Sequence, residues 1–232
     1  DLRGLHCHVG SQVFGEDVYQ RTLDIMVPFL ASIREETGVT LSDLNLGGGY
    51  GVRYTAEDEA IDIPARLEEL VAHLKEETER LGLPMPRVLM EPGRSIVADA
   101  GMTLYTVGSV KRIPGYKQYA AVDGGMTENP RYALYQSRYT VYHAHKSGSL
   151  ERFDVVGRCC ESGDIIQPGV ELPGDTCRGD LLAVCTTGAY NYSMASNYNR
   201  LPRPPIVMLR GGNESYVAVR RETFADLTAL DL

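Results

Sequence analysis

The sequence predicts an α/β region followed by a mainly antiparallel β region. Up to about residue 100, short apolar strands alternate with helical periodicities in three strand–loop–helix units. From about Met102 onward, short apolar runs are separated by Gly-rich turns. Hydrophobic residues make up 43% of the 232, enough for the core of one or two domains. The expected organisation is therefore an α/β domain over 1–101 and a sandwich- or barrel-like β domain over 102–232.

In the first unit, Leu2 to Val9 reads as a strand ending in Gly10-Ser11. Asp17 to Thr37 follows a helical period, with Tyr19, Leu23, Met26, Val27, Leu30 and Ile33 forming a stripe that covers a sheet. Gly38 suits the helix C′ position, and Pro28 falls inside the segment, which weakens the case for an unkinked helix. In the second unit, Leu44 to Leu46 is a short strand entering Gly47-Gly48-Gly49. Pro64 to Leu81 reads as helix, capped by Asp62 and stopped by Gly82-Leu83-Pro84. The third unit runs from a strand over Arg87 to Met90, through Glu91-Pro92-Gly93-Arg94, to a short helix ending at Ala100.

Repeated strand–loop–helix units imply parallel strands. Each unit carries its unusual residues just after its strand: His8 to Ser11, Gly47 to Gly49, and Glu91 to Arg94. Parallel α/β sheets and barrels bind ligands at that carboxyl edge, so the three clusters are expected to face one pocket.

In the second half, Leu104 to Val110, Tyr119 to Val122, Phe153 to Val156, Leu181 to Cys185, Ile206 to Leu209 and Tyr216 to Val219 read as strands. Arg210 to Asn213 is a hairpin turn, and Glu222 to Leu230 a terminal helix.

Composition excludes several classes. A net charge of -8 argues against non-specific nucleic-acid binding. No apolar run approaches the roughly 20 residues needed to span a bilayer. The start, Asp1 to Gly4, shows no signal peptide and no initiator Met, so the chain is expected to begin inside a longer protein. The five cysteines (Cys7, Cys159, Cys160, Cys177 and Cys185) form no CxxC pair. That disfavours zinc ribbons and disulfide scaffolds and fits reduced thiols in a cytoplasmic protein.

Each cluster has a chemical reading and a plainer one. Gly47 to Gly49 either cradles phosphate through backbone N–H groups or makes a tight strand exit. It matches neither the Walker loop nor the dinucleotide fingerprint. Glu91 and Arg94 either grip a ligand's cationic and anionic groups or pair as a surface salt bridge. His8 is either a stacking ring or a core histidine. His6 points the same way in a strand, and His8 lies nearer the strand end. Cys159 to Asp164 gathers thiols, carboxylates and a hydroxyl, as a proton-donating turn or as an inert Cys beside a solvated acidic turn. Gly188 to Asn199 has a binding loop's share of Tyr and Asn, and Arg131 and Tyr135 lie in another polar, aromatic loop.

Five ordered motifs carry a family resemblance. They are His8-Val9-Gly10-Ser11, Gly47-Gly48-Gly49, Glu91-Pro92-Gly93-Arg94, Cys160-Glu161-Ser162-Gly163-Asp164 and Gly188-Ala189-Tyr190. The set resembles the pyridoxal-phosphate-dependent decarboxylases of the alanine-racemase-like barrel type. The Cys-Glu-Ser-Gly-Asp string and Ser193 to Asn199 are most similar to the diaminopimelate decarboxylase branch.

The resemblance implies that the chain is the last three βα units of a (β/α)8 pyridoxal-phosphate barrel plus a mainly antiparallel β domain. It implies decarboxylation of meso-diaminopimelate to lysine. His8 would stack on the pyridine ring. Ser11, the backbone of Gly47, Gly48 and Gly49, Gly93, Arg94 and Tyr190 would hold the phosphate. Glu91 would keep the ring nitrogen protonated, which the ring's role as electron sink requires. Arg94, Arg131, Tyr135 and Tyr190 would bind the substrate, with Glu161 taking its distal ammonium. Cys160 would return a proton to the α-carbon, in a homodimer whose subunits share active sites.

The sequence departs from the family in one respect. The family's cofactor lysine sits on an early barrel strand, and none of Lys75, Lys111, Lys117 and Lys146 follows a barrel strand. The isolated chain is therefore expected to be inactive. Two rivals remain: a decarboxylase of ornithine, arginine or carboxynorspermidine, and a non-catalytic pyridoxal-phosphate-binding remnant.

Overall fold

The computed structural model describes residues 2–232, so Asp1 lies outside the described residues. The chain divides into two compact units between Asp99 and Ala100.

The first unit holds a three-stranded parallel sheet, β1 (Gly4–His6), β2 (Asp43–Asn45) and β3 (Arg87–Leu89), in that spatial order. Leu5, Leu44 and Val88 lie in one row across it, and His6, Asn45 and Leu89 in the next. Helix α1 (Val18–Thr37) links β1 to β2, and α2 (Ile63–Arg80) links β2 to β3. Their apolar stripes make the core: Leu23, Val27, Leu30, Leu70 and Leu74 bury against Leu44 and Leu46. Burying each such leucine contributes about 2 kcal/mol, more than a single helix hydrogen bond.

That comparison explains why α1 continues past Pro28. The ring removes one backbone donor. The stripe Leu23, Met26, Val27 and Leu30, buried on both sides of it, holds the helix in register. Gly38 closes α1 in the left-handed conformation (φ 72°) and returns its N–H to Arg34 O. Asp62 caps α2 by accepting the Ala65 N–H at 3.1 Å. A short helix, α3 (Arg94–Val97), follows β3.

The first strand is shorter than the expected Leu2 to Val9. The Cys7 N–H still pairs with Asn45 O, but from His8 the chain turns across the strand ends toward the glycine turn.

The second unit is a six-stranded mixed sheet of β4 (Met102–Arg112), β5 (Gln118–Val122), β6 (Val141–His143), β7 (Leu150–Val156), β8 (Ile165–Pro173) and β9 (Leu181–Cys185). The spatial order is β6-β9-β4-β5-β7-β8. The end strands approach each other: the Tyr139 N–H, just before β6, donates to Gln167 Oε1 on β8 at 2.8 Å. The sheet thus curls toward a barrel. All pairs are antiparallel except β5–β7, which runs parallel.

Strands β6 and β8 and the helical turn α4 (Arg131–Tyr135) lie outside the sequence expectation. A second sheet is the hairpin β10 (Ile206–Arg210) and β11 (Glu214–Val219), turned by Gly211 and Gly212, both at positive φ. The terminal helix is one turn, α5 (Phe224–Leu227), shorter than Glu222 to Leu230. A capping box between Thr223 and Asp226 starts it there.

Candidate active site

In the first unit the three turns pack directly on one another. The Gly48 N–H donates to His8 Nδ1 at 3.1 Å, so His8 accepts through that nitrogen. The Glu91 N–H donates to Gly47 O at 2.7 Å. A Cβ on Gly48 would strike the Glu91 carbonyl oxygen, and one on Gly49 would strike the carbonyl oxygen of Gly10. Gly47 and Gly49 also hold positive φ, at 66° and 100°. Close approach and left-handed backbone together explain why three glycines stand in a row.

The glycines divide their labour more finely than a uniform phosphate cradle. The Gly47 N–H is taken by Asn45 Oδ1 at 2.8 Å, and that of Gly48 by His8. Among the described residues, only Gly49 of the three has an N–H without a protein partner.

Arg94 is buried, 7% exposed. Its Nη2 donates to Ser11 Oγ at 2.8 Å, its Nη1 to the Tyr54 hydroxyl, and its guanidinium lies 5.7 Å from the Tyr54 ring centroid. A buried guanidinium beside a hydroxyl and an open backbone N–H is a donor set for an anion.

The Glu91 carboxylate is held from two sides. Asn45 Nδ2 donates to Oε1 at 2.8 Å, and His6 Nε2 lies 3.7 Å from Oε2. Tyr19 supports the turn from below: its hydroxyl donates to Gly48 O at 2.8 Å and its ring stacks on Tyr50 at 4.6 Å. Burial, with Tyr50 beside it, pushes the Tyr19 phenol up to about 12, so it stays a donor. Sequence reasoning missed Asn45, Tyr19 and Tyr54. The signal for Asn45 was a polar residue between Leu44 and Leu46. Tyr54, forty residues from Arg94, gave none.

The donor set fits a phosphorylated pyridine. Arg94, Ser11 and the Gly49 N–H suit the phosphate, and the half-exposed Glu91 carboxylate suits a protonated ring nitrogen. Among the described residues no cluster of His, Cys, Asp and Glu is arranged to hold a metal.

In the second unit Arg131, Tyr135 and Tyr190 come together. The Arg131 guanidinium lies 5.6 Å from the Tyr135 ring centroid and 6.0 Å from that of Tyr190, within cation–π range. Arg131 is buried and donates to Ser137 Oγ at 3.1 Å. Tyr190 adopts positive φ (63°), which swings it out of the strand direction.

The turn of Cys159 to Asp164 separates its two cysteines. Asp164 is buried, and its carboxylate accepts the N–H groups of Met126 and Cys159 at 2.6 Å each. Burial and the Asp164 charge push the Cys159 thiol up to about 12. Cys160 is exposed, with its N–H held by Asn199 Oδ1 at 2.8 Å. The Glu161 carboxylate accepts from the Gly163 N–H, Ser162 Oγ and the Tyr198 hydroxyl. The Gly163 N–H, with help from these hydroxyls, holds it below the ordinary glutamate value. Glu161 is therefore an anion at neutral pH.

Comparison with known proteins follows the same division. Residues 1–98 match the family described as "Pyridoxal-dependent decarboxylase, pyridoxal binding domain". The whole chain is 46% identical to the diaminopimelate decarboxylase of Bacillus subtilis, covering 53% of it, and 99% of the chain is 39% identical to that of Staphylococcus aureus, covering 54%. The chain thus spans about half the length of the curated relatives it matches. Among solved structures, the diaminopimelate decarboxylase of M. jannaschii in complex with L-lysine superposes with a TM-score of 0.92 at 31% identity, over 99% of this chain and 52% of that one. A lysine/ornithine decarboxylase from Vibrio vulnificus reaches 0.73 at 28% identity, over 85% of this chain and 52% of its own. Residues 1–98 thus match a pyridoxal-dependent decarboxylase domain, and the chain as a whole is a homologue of part of the diaminopimelate decarboxylases.

Proposed function

We propose that this chain is the C-terminal portion of a pyridoxal-phosphate-dependent diaminopimelate decarboxylase, which converts meso-2,6-diaminopimelate to lysine in lysine biosynthesis. On this reading the first unit is the last three βα units of a (β/α)8 barrel, and the second is the β domain that follows it. The observation that carries the reading is the packing of His8, Gly47 to Gly49, Glu91 and Arg94 into one cluster at the carboxyl ends of three parallel strands.

When bound, pyridoxal phosphate supplies an electron sink for the bond broken as carbon dioxide leaves. The residues of this chain bind, orient and protonate. Arg94, Ser11, the Gly49 N–H and Gly93 hold the phosphate, and Tyr190 adds a hydroxyl. Glu91 would hold a proton on the ring nitrogen, and His8 would stack on the ring. Arg131 and Tyr135 orient a substrate carboxylate. Glu161, anionic at neutral pH, pairs with the distal ammonium. The Cys160 thiol gives its proton to the α-carbon, and the emptied thiolate recovers one from water. Exposure of Cys160 and Glu161 suits a turn that serves the partner's site in a homodimer.

The test is turnover by the full-length protein on a panel of amino acids. Diaminopimelate is expected to be decarboxylated fastest, and faster turnover of ornithine overturns the assignment. The 232-residue chain alone is expected to bind the cofactor weakly and turn over nothing. Turnover by it alone contradicts the placement of the cofactor lysine in a preceding barrel segment. The lower TM-score of the lysine/ornithine enzyme favours diaminopimelate over a plain diamine precursor.

A further inference from the structure

We propose that Asn45 is a positioning residue that ties the two ends of the cofactor site together, a role that rests on the pyridoxal-phosphate reading above. Asn45 ends β2 between His6 on β1 and Leu89 on β3. The two ends of its side-chain amide make opposite bonds. Nδ2 donates to Glu91 Oε1 at 2.8 Å, and Oδ1 accepts the Gly47 N–H at 2.8 Å. A carboxylate only accepts and a backbone N–H only donates, so this amide has a single workable orientation.

The consequence is geometric. Glu91 addresses the cationic end of a pyridine, and the glycine turn addresses the anionic end. One planar group fixes both. The Glu91 N–H to Gly47 O bond at 2.7 Å adds a backbone link beside it. Leu44 and Leu46, both fully buried, anchor the strand that carries Asn45. Because Asn45 and His8 occupy the first two glycine N–H groups, only the third is left without a protein acceptor and open to a ligand anion. Asn45 thus selects which donor of the turn is available as well as where the Glu91 charge sits.

Aspartate at this position splits the two roles. It accepts the Gly47 N–H as before, but it cannot donate to Glu91 and sets a second carboxylate against it. Alanine removes both bonds.

The experiment uses the full-length apoprotein, titrated separately with pyridoxal phosphate, with pyridoxal lacking the phosphate, and with inorganic phosphate. N45D is expected to weaken pyridoxal about tenfold while phosphate changes by less than about twofold. N45A is expected to weaken both, and pyridoxal phosphate by about tenfold or more. On an E91A background, N45D is expected to cost pyridoxal nothing further, because the bond it breaks is already gone. Equal loss of pyridoxal and phosphate in N45D, or additive losses with E91A, overturns the proposal, since general loosening of the sheet does not separate the two ends. N45D preserves shape, so it carries the test if N45A fails to fold. A wild-type protein that binds no pyridoxal phosphate overturns the cofactor reading itself, and that outcome is visible before any variant is made.

Discussion

Asn199 Oδ1 accepts the backbone N–H of Cys160 at 2.8 Å. Its neighbour Tyr198 donates its hydroxyl to Glu161 at 3.3 Å. Two consecutive residues of one short helical turn therefore hold two consecutive residues of the Cys-Glu turn. Asn199 sits in the left-handed region (φ 54°), which Asn tolerates better than most residues. The Tyr- and Asn-rich segment is thus a brace that holds the backbone of Cys160 and the carboxylate of Glu161.

Removing the brace is expected to slow the proton transfer proposed for Cys160. Asn199→Ala loses a hydrogen bond and adds left-handed strain, each on the order of 1 kcal/mol. Turnover of the full-length enzyme is expected to fall about 3- to 10-fold. Asn199→Asp keeps the acceptor and is expected to stay closer to wild type. Rates of Cys160 alkylation, measured alongside kcat, report the same displacement. Unchanged kcat and alkylation in Asn199→Ala contradict the bracing role.

Arg131 makes a different demand. Its planar guanidinium lies over two tyrosine rings, and a lysine ammonium reproduces the charge without the fork or the stacking. Arg131→Lys is expected to raise KM for diaminopimelate about 10- to 100-fold, with a smaller change in kcat, as for a lost carboxylate clamp. A KM within about twofold of wild type removes Arg131 from substrate binding.

Low pH tests the anchor of the bracing segment. Glu222 accepts the Arg203 N–H and guanidinium and Asn197 Nδ2, and these bonds, the Arg203 guanidinium first, draw its carboxyl down to about 2 from an ordinary value of 4.5. A depressed carboxyl stabilises the folded state fully above the ordinary value. That stabilisation is lost as pH falls from about 4.5 through about 2. Glu222→Gln is expected to lower stability at neutral pH and to flatten the decline in this window. Unfolding midpoints of both proteins from pH 6 to about 2.5 decide it, and parallel curves rule out Glu222 as the titrating group.

The carboxyl-edge clusters were legible because each interrupts a short apolar run with residues that no core requires. His8, the three glycines and Glu91 to Arg94 stand out against Leu5, Leu44 and Val88. Asn45 was not, because one amide inside a three-residue strand carries no period. Strand β8 was hidden by Pro168 and Gly169 in its middle, with irregular pairing to β7 at those two residues and before them. The parallel β5–β7 pair was invisible, since strand direction depends on how the intervening chain crosses, not on strand composition. Pro28 sits inside α1 as the apolar period implied, because local propensity lost to the buried stripe around it.

The glycine turn offers the sharpest contrast between strain and function. Gly82 has φ 61°, and a Cβ there meets nothing within 4 Å. Gly82→Ala is therefore expected to cost only about 1 kcal/mol of left-handed strain and to leave cofactor affinity unchanged. Gly49 has φ 100°, and its added Cβ strikes the Gly10 carbonyl, a rigid backbone atom in the turn that carries Ser11. Relief of that clash must move either the one open N–H of the turn or the hydroxyl beside Arg94. Gly49→Ala is accordingly expected to weaken pyridoxal phosphate at least about tenfold in the full-length protein, with a loss of unfolding free energy of about 1–3 kcal/mol. Calorimetric titration of both variants separates the cases. Equal cofactor affinity in Gly49→Ala and Gly82→Ala means that the third glycine makes a tight turn and nothing more.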